Sequence, residues 1–126
     1  MAQSLDQQRA KFAWKQAGIG VNEPGYVNLV KGASAFIMNN GLMQALAFYK
    51  SRSCSNSKAA QLLLDDLLQW IAKVHKIPLP VDFSSTMPVL FEATSLDHIR
   101  ITQEVLSMLR WLRQFADALK KNDATS

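Results

Sequence analysis

A chain of 126 residues, 48% hydrophobic and 9% aromatic, suits one compact domain with a real core, and a second domain is not expected. Charged residues make up 19% and leave a net charge of +4, compatible with an anionic polymer as partner and common among ordinary proteins. The lone Cys54 excludes an intrachain disulfide and a cysteine-rich metal site, and the N-terminus has no apolar signal core. No apolar run reaches the roughly 20 residues of a membrane span, so a soluble, cytoplasmic protein is expected.

In chain order the sequence predicts helices and no credible strand pair. Ser4 and Gln7 have capping-box spacing ahead of a helix to about Ala17, ended by Gly18 to Gly20. Asn22 and Pro24 suit the cap and first turn of a second helix, to about Asn39. Asn39, Asn40 and Gly41 are boundary residues, and a third helix follows to Arg52. Its Leu42, Ala45, Leu46 and Tyr49 fall at i, i+3, i+4 and i+7 on one buried face. Ser53, Ser55, Asn56 and Ser57 form a polar connector whose last members cap a long helix through Lys76. Ile77, Pro78, Leu79 and Pro80 dictate an extended link. Pro88, after Thr86, permits a short helix to about Ala93, and Ser95 caps the last helix, which runs towards Lys121. The expected fold is all-α: a single compact bundle of about five to six helices spanning residues 1–126, with a long C-terminal helix and a frayed tail at 122–126.

The helix from Ser57 to Lys76 is expected to be central, because Ala59, Leu63, Leu64, Leu67, Leu68, Trp70, Ile71 and Val74 cover more than a third of its circumference. Lys58, Gln61, Asp65, Asp66, Gln69 and Lys73 remain as a mixed-sign outer face. Adjacent helical residues diverge by about 100°, so Asp65 and Asp66 do not form a catalytic carboxylate pair, and both are read as solvated.

The last helix carries the main physical signal for function. Ile101, Val105, Met108, Leu109, Leu112, Phe115, Ala116 and Leu119 make one apolar arc on a rod about 40 Å long at 1.5 Å per residue. The opposite arc holds Arg110, Arg113, Lys120 and Lys121 with Thr102, Gln103 and Gln114, and Asp117 is its main acid. Recurring cations along a groove-length surface suit a phosphate backbone, since each neutralised phosphate releases counterions. A solvated face whose C-terminal cations answer the helix dipole explains the same residues. The outer side of the second helix, Asn28, Lys31, Gly32, Ala35 and Asn39, is small and nearly uncharged, open to another backbone or to packing within the chain.

Aromatic residues are read mostly as core: Phe12, Phe36, Tyr49, Trp70 and Phe115 lie on apolar faces, while Trp14 and Trp111 sit nearer the margins. A protein that holds RNA through its backbone needs no stacking platform, and that mode is expected here. Catalysis has little support. His75 and His98 lack partners of metal-ligand spacing, Cys54 lacks a base, and Gly18-Ile19-Gly20 is half of a dinucleotide fingerprint with no preceding strand. No enzymatic activity, cofactor or metal is expected.

Asn40 to Ser51, NGLMQALAFYKS, resembles the QNGLGQTLAFLKSK-like signature of the Cmr small-subunit family, part of the type III-B CRISPR RNA-targeting effector complex. Leu106 to Lys121, LSMLRWLRQFADALKK, is similar to that family's ALxFLxWLKRFAEA-type closing helix, with Trp111, Leu112, Arg113, Phe115, Ala116 and Ala118 in place. Gln8, Arg9, Ala10, Lys11, Phe12 and Ala13 are similar to its QxRAKxA-like first helix. The three segments cover about half the chain in the expected order. Met43 stands where the family often has Gly, and residues 77–94 match nothing specific.

The resemblance implies a non-catalytic, all-helical small subunit that lies along the filament of backbone subunits and helps accommodate target RNA paired to the guide. Its implied partners are other Cmr subunits, above all the filament backbone subunit, neighbouring copies of itself, and guide and target RNA. No membrane and no small-molecule substrate is implied, and the isolated chain is expected to be a monomer. The RNA-binding role carries over to Lys31, Lys50 and Arg52, which the matched segments and their approach place at one end of a helical turn. It carries over also to Arg110 and Arg113 in the closing helix, with Lys11 and Lys15 on the outward side of the first helix as additions. Two other classes stay open: a helical adaptor that docks an acidic protein without touching RNA, and a helix-turn-helix DNA regulator, for which no persuasive recognition helix is visible. A nuclease ranks last.

Overall fold

The computed structural model describes residues 3–77 and 81–120, and within them the chain forms six helices and no strand. They are α1 (Leu5–Gly20), α2 (Tyr26–Asn40), α3 (Leu42–Cys54), α4 (Lys58–His75), α5 (Phe83–Glu92) and α6 (Ser95–Leu119). The Ile77-to-Pro80 link falls mostly, and the 122–126 tail wholly, outside the described residues.

Local chemistry explains most of the boundaries. Ser4 and Gln7 form the expected capping box at α1, each side chain accepting from the other's backbone N–H at 3.1 and 2.8 Å. The helix then passes through Gly18 and stops only after Gly20. A Cβ at Gly20 would collide with the Tyr26 ring, so this glycine is what allows the second helix to close against the first. Neither Asn22 nor Pro24 starts α2. Gly25, at φ +88°, makes the turn, and the helix begins at Tyr26. Gly41, at φ +87°, ends α2 and starts α3 as a one-residue joint. Ser57 caps α4 as expected by accepting from the Ala60 N–H at 3.1 Å. The cap of α6 is Thr94 rather than Ser95, accepting from the Asp97 N–H. Asp82 and Ser85 cap α5, which holds Pro88 in its interior. Ser84 and Pro88 both face solvent, so the carbonyl that proline leaves without its helical partner can be hydrated.

The core forms around α4, which packs against all five other helices. Leu63, Leu64, Leu67, Leu68, Trp70 and Ile71 are buried as the periodicity predicts, and Val74 is half-buried. The Trp70 indole N–H donates to the Glu104 carbonyl at 3.2 Å, tying α4 to α6. One assignment on this helix is wrong: Asp66 is not solvated but 3% exposed. It accepts from Gln16 Nε2 of α1 at 2.7 Å and from the Tyr26 hydroxyl of α2 at 2.5 Å. These two donors compensate a burial that would otherwise be prohibitive. Burial still pushes its pKa up to about 7, against the lowering effect of the Tyr26 and Gln16 bonds. Asp65 is half-buried and accepts from Gln61.

Helix α6 lies against α4 with α1 along one flank and α2 along the other. Its buried residues, Ile101, Val105, Met108, Leu109, Leu112 and Ala116, belong to the predicted arc, while Phe115 and Leu119 are half-buried at its margin. Of the aromatics assigned to the core, Tyr49 and Trp70 are buried and Phe12, Phe36 and Phe115 half-buried.

Candidate nucleic-acid interface

The outer face of α6, bounded by α1 and α2, forms an open cleft of about 710 Å³. Ser107, Arg110, Trp111, Arg113, Gln114 and Asp117 come from α6, Asp6 and Arg9 from α1, and Lys31 from α2. The spacing that buries Met108, Leu109 and Leu112 turns Arg110, Arg113 and Gln114 outward, so the apolar arc and the cationic strip are two results of one period.

The ions of the cleft are not equivalent. The Arg9 guanidinium donates to both carboxylate oxygens of Glu104, at 2.9 and 2.5 Å, a fork that ties α1 to α6, and its remaining contact is to Asp6 at 3.3 Å. The Trp111 indole N–H donates to Asp6 at 3.0 Å. That bond, followed by Arg9 and the charge of Arg110, holds the Asp6 carboxyl below its ordinary range. At the other rim Asp117 is shared by Lys120 at 3.0 Å and Lys31 at 3.4 Å, which likewise keep it low. Arg110 and Arg113 form no ion pair among the described residues and are exposed. With Arg9 and Lys31 they give the cleft four cations against two acids, so its field favours an anion, and the two arginines hold the free guanidinium groups.

Three of the seven basic residues singled out in the sequence, Lys31, Arg110 and Arg113, therefore meet in one cleft. The other four do not line it. Lys50 and Arg52 lie on α3, which packs on α4, α2 and α5. The charge of Lys50 acts on Asp82, and Arg52 sits over the Phe48 ring at 5.7 Å. Lys31 is thus separated from the two residues with which it was grouped. Lys11 and Lys15 are exposed on the side of α1 turned away from the core. Lys121 lies outside the described residues. Sequence reasoning missed Arg9 and Asp6 as parts of the cleft. Arg9 stood inside a matched segment, but its pairing with Glu104, far along the chain, left no local trace.

The sequence pattern of the CRISPR-associated protein family Cas_Cmr5 matches residues 5–119. The chain belongs to that family. It is 30% identical over 112 residues to the CRISPR system Cmr subunit Cmr5 of Thermus thermophilus, covering 89% of this chain and 90% of that one. It is also similar to the crystal structure of a CRISPR-associated Cmr5 family protein from the same organism. The TM-score is 0.76 at 28% identity, over 95% of this chain and all of the other. The resemblance to the type III-B Cmr small subunits is therefore correct, and it extends over 77–94, where no motif had been recognisable. The three matched segments lie in α1, α3 and α6, and the first and last of them supply most of the cleft. Among the described residues no three His, Cys, Asp or Glu side chains are grouped as a metal site requires, and no helix is long and apolar enough to cross a membrane.

Proposed function

We propose that this chain is a non-catalytic structural subunit of a type III-B Cmr ribonucleoprotein in antiviral defence. It lies along the backbone filament in the cytoplasm and helps hold target RNA paired to the guide. The observation that carries the reading is the pair of exposed, unpaired guanidinium groups, Arg110 and Arg113, in one cleft with Lys31. They take phosphate oxygens, and the acids beside them are held by other groups, Asp6 by the Trp111 N–H and Arg9, and Asp117 by Lys120 and Lys31. Lys50, Arg52, Lys11 and Lys15, lying elsewhere on the surface, meet other stretches of the nucleic acid or neighbouring subunits. Strand cleavage belongs to other subunits of the complex.

A single copy binds weakly, because a few phosphate contacts give modest affinity until neighbouring copies extend the track. With three to five phosphate contacts on single-stranded RNA, log K falls against log salt with a slope of roughly −2 to −3.5. Titration of the purified chain with labelled RNA at several salt concentrations measures it, and a salt-independent affinity removes electrostatic binding as the mechanism. A second reading has its own support in Phe91, Leu96 and Ile99, large apolar side chains left exposed in α5 and the start of α6. A protein adaptor that docked only through these would keep its partners after nuclease treatment and bind no RNA.

A further inference from the structure

The outward side of α1 takes no part in the cleft. Lys11, Trp14, Lys15 and Gly18 recur there at i, i+3, i+4 and i+7, all exposed, opposite the buried Ala13, Gln16, Ala17 and Gly20. Trp14 is 54% exposed, and among the described residues its indole N–H donates to no group. Such exposure is unusual for a tryptophan, whose ring is normally well buried.

The ring is nevertheless held in place. It packs perpendicular to Phe115, with centroids 5.2 Å apart and planes at 87°. Phe115 stacks on Trp111 at 5.5 Å and 27°, and Trp111 is fixed by its bond to Asp6 in the cleft. A continuous aromatic row thus runs from the phosphate-binding cleft to the outer surface of α1 and ends on a rigid, half-open indole. Lys11 and Lys15 are four residues apart, about 6 Å along the axis at roughly 1.5 Å per residue. From Gln7 to Gly20 the helix contains no Asp or Glu, and a Cβ at Gly18 would touch nothing, so the surface beside the ring is cationic and open.

We propose that this face is a stacking site for one unpaired nucleobase of an RNA strand, with the base on Trp14 and its flanking phosphates on Lys11 and Lys15. The inference rests on the RNA-binding reading above and adds to it a mode the backbone cleft lacks. An indole recognises the face of a base, which a paired and stacked nucleotide keeps inside its helix. Interface cores between proteins are depleted of lysine and favour contiguous apolar neighbours. Beyond Phe115, the exposed residues of α1 one turn from Trp14 are Lys11 and Gly18, with no large apolar side chain among them, which favours the nucleic acid as occupant.

Tryptophan fluorescence tests this in the intact chain: Trp70 is 1% exposed, and because Trp111 lines the cleft, the quenching that remains in Trp14→Phe is subtracted so that the difference reports on Trp14. Single-stranded RNA is titrated at low salt against an abasic oligomer of equal length and charge. The base-bearing strand is expected to quench the indole and bind about tenfold more tightly than the abasic one. Trp14→Ala erases that difference and Trp14→Phe keeps most of it. Equal affinity for the two oligomers, or a base preference that survives Trp14→Ala, overturns the proposal. If both oligomers bind equally and both weaken in Arg110→Ala/Arg113→Ala, only the stacking site fails and the cleft reading stands. If neither binds, both readings fail together. Loss of a Cmr protein partner in Trp14→Ala with RNA binding unchanged makes the face a protein-docking surface and also overturns it.

Discussion

Asp65 and Asp66 stand one helical step apart, and that step decides their chemistry. Asp65 keeps contact with water, whereas Asp66 is 3% exposed beneath Gln16 and Tyr26. The sequence held a signal for this: Asp66 lies at i+3 from Leu63 and i−4 from Trp70, on the margin of the apolar arc. Its donors come from α1 and α2, and no local pattern reveals that they converge on it. The consequence is a pH-dependent stability of known sign. A carboxyl whose pKa rises from 3.8 in the open chain to about 7 in the fold binds its proton more tightly when folded. Its contribution is therefore whole below about pH 4 and falls as pH rises towards 7, by at most about 4 kcal/mol, then levels off. In Asp66→Asn the amide replaces the protonated acid, keeping the Gln16 bond and donating to a rotated Tyr26 hydroxyl. Denaturant unfolding of both proteins at pH 4.5, 6 and 7.5 is expected to show the variant gaining on the wild type as pH rises. Parallel pH profiles would mean that Asp66 does not titrate in the fold.

At the scale of the element, α6 was the most legible part of the chain. Its apolar period fixed the buried arc, and the complementary arc then had to hold Arg110 and Arg113. What the sequence misplaced were ends. Thr94 rather than Ser95 caps α6, Gly25 rather than Asn22 or Pro24 opens α2, and α1 continues to Gly20. Each depends on which of several adjacent polar or small residues the packing selects, as the Tyr26 ring does at Gly20. The cleft was half-legible for a related reason: a cation's side of its helix can be read locally, but which helices face one another cannot. Lys31 therefore parted from Lys50 and Arg52 and joined the α6 arginines. Because Arg110 and Arg113 are exposed and outside the core network, Arg110→Ala and Arg113→Ala should each lower RNA affinity while changing stability by under about 0.5 kcal/mol. Binding titration and thermal unfolding of the same preparations check this. Unfolding of either variant would instead make that arginine part of the fold's support, and unchanged affinity would remove it from the RNA track.

At the scale of the whole molecule, the arrangement of helices separates two kinds of surface. Around α4 the chain builds its core, and on the outer side of α6 the flanking helices α1 and α2 add Arg9 and Lys31 to a cationic strip that α6 alone would present. Outside that cleft stand the Trp14 face of α1, the separate cations of α3, and exposed apolar residues in α5 and the start of α6. Such a distribution suits a subunit with several neighbours at once, RNA on one side and protein on others, and the family to which the chain belongs is named for its place in the Cmr system. We propose that this chain works inside a ribonucleoprotein. The most direct test is recovery of the chain from its native cells, with and without nuclease, with bound proteins identified by mass spectrometry and bound RNA sequenced. Recovery with other Cmr subunits and a processed guide RNA is the predicted result. Recovery alone, or with unrelated proteins and no small RNA, would contradict the account.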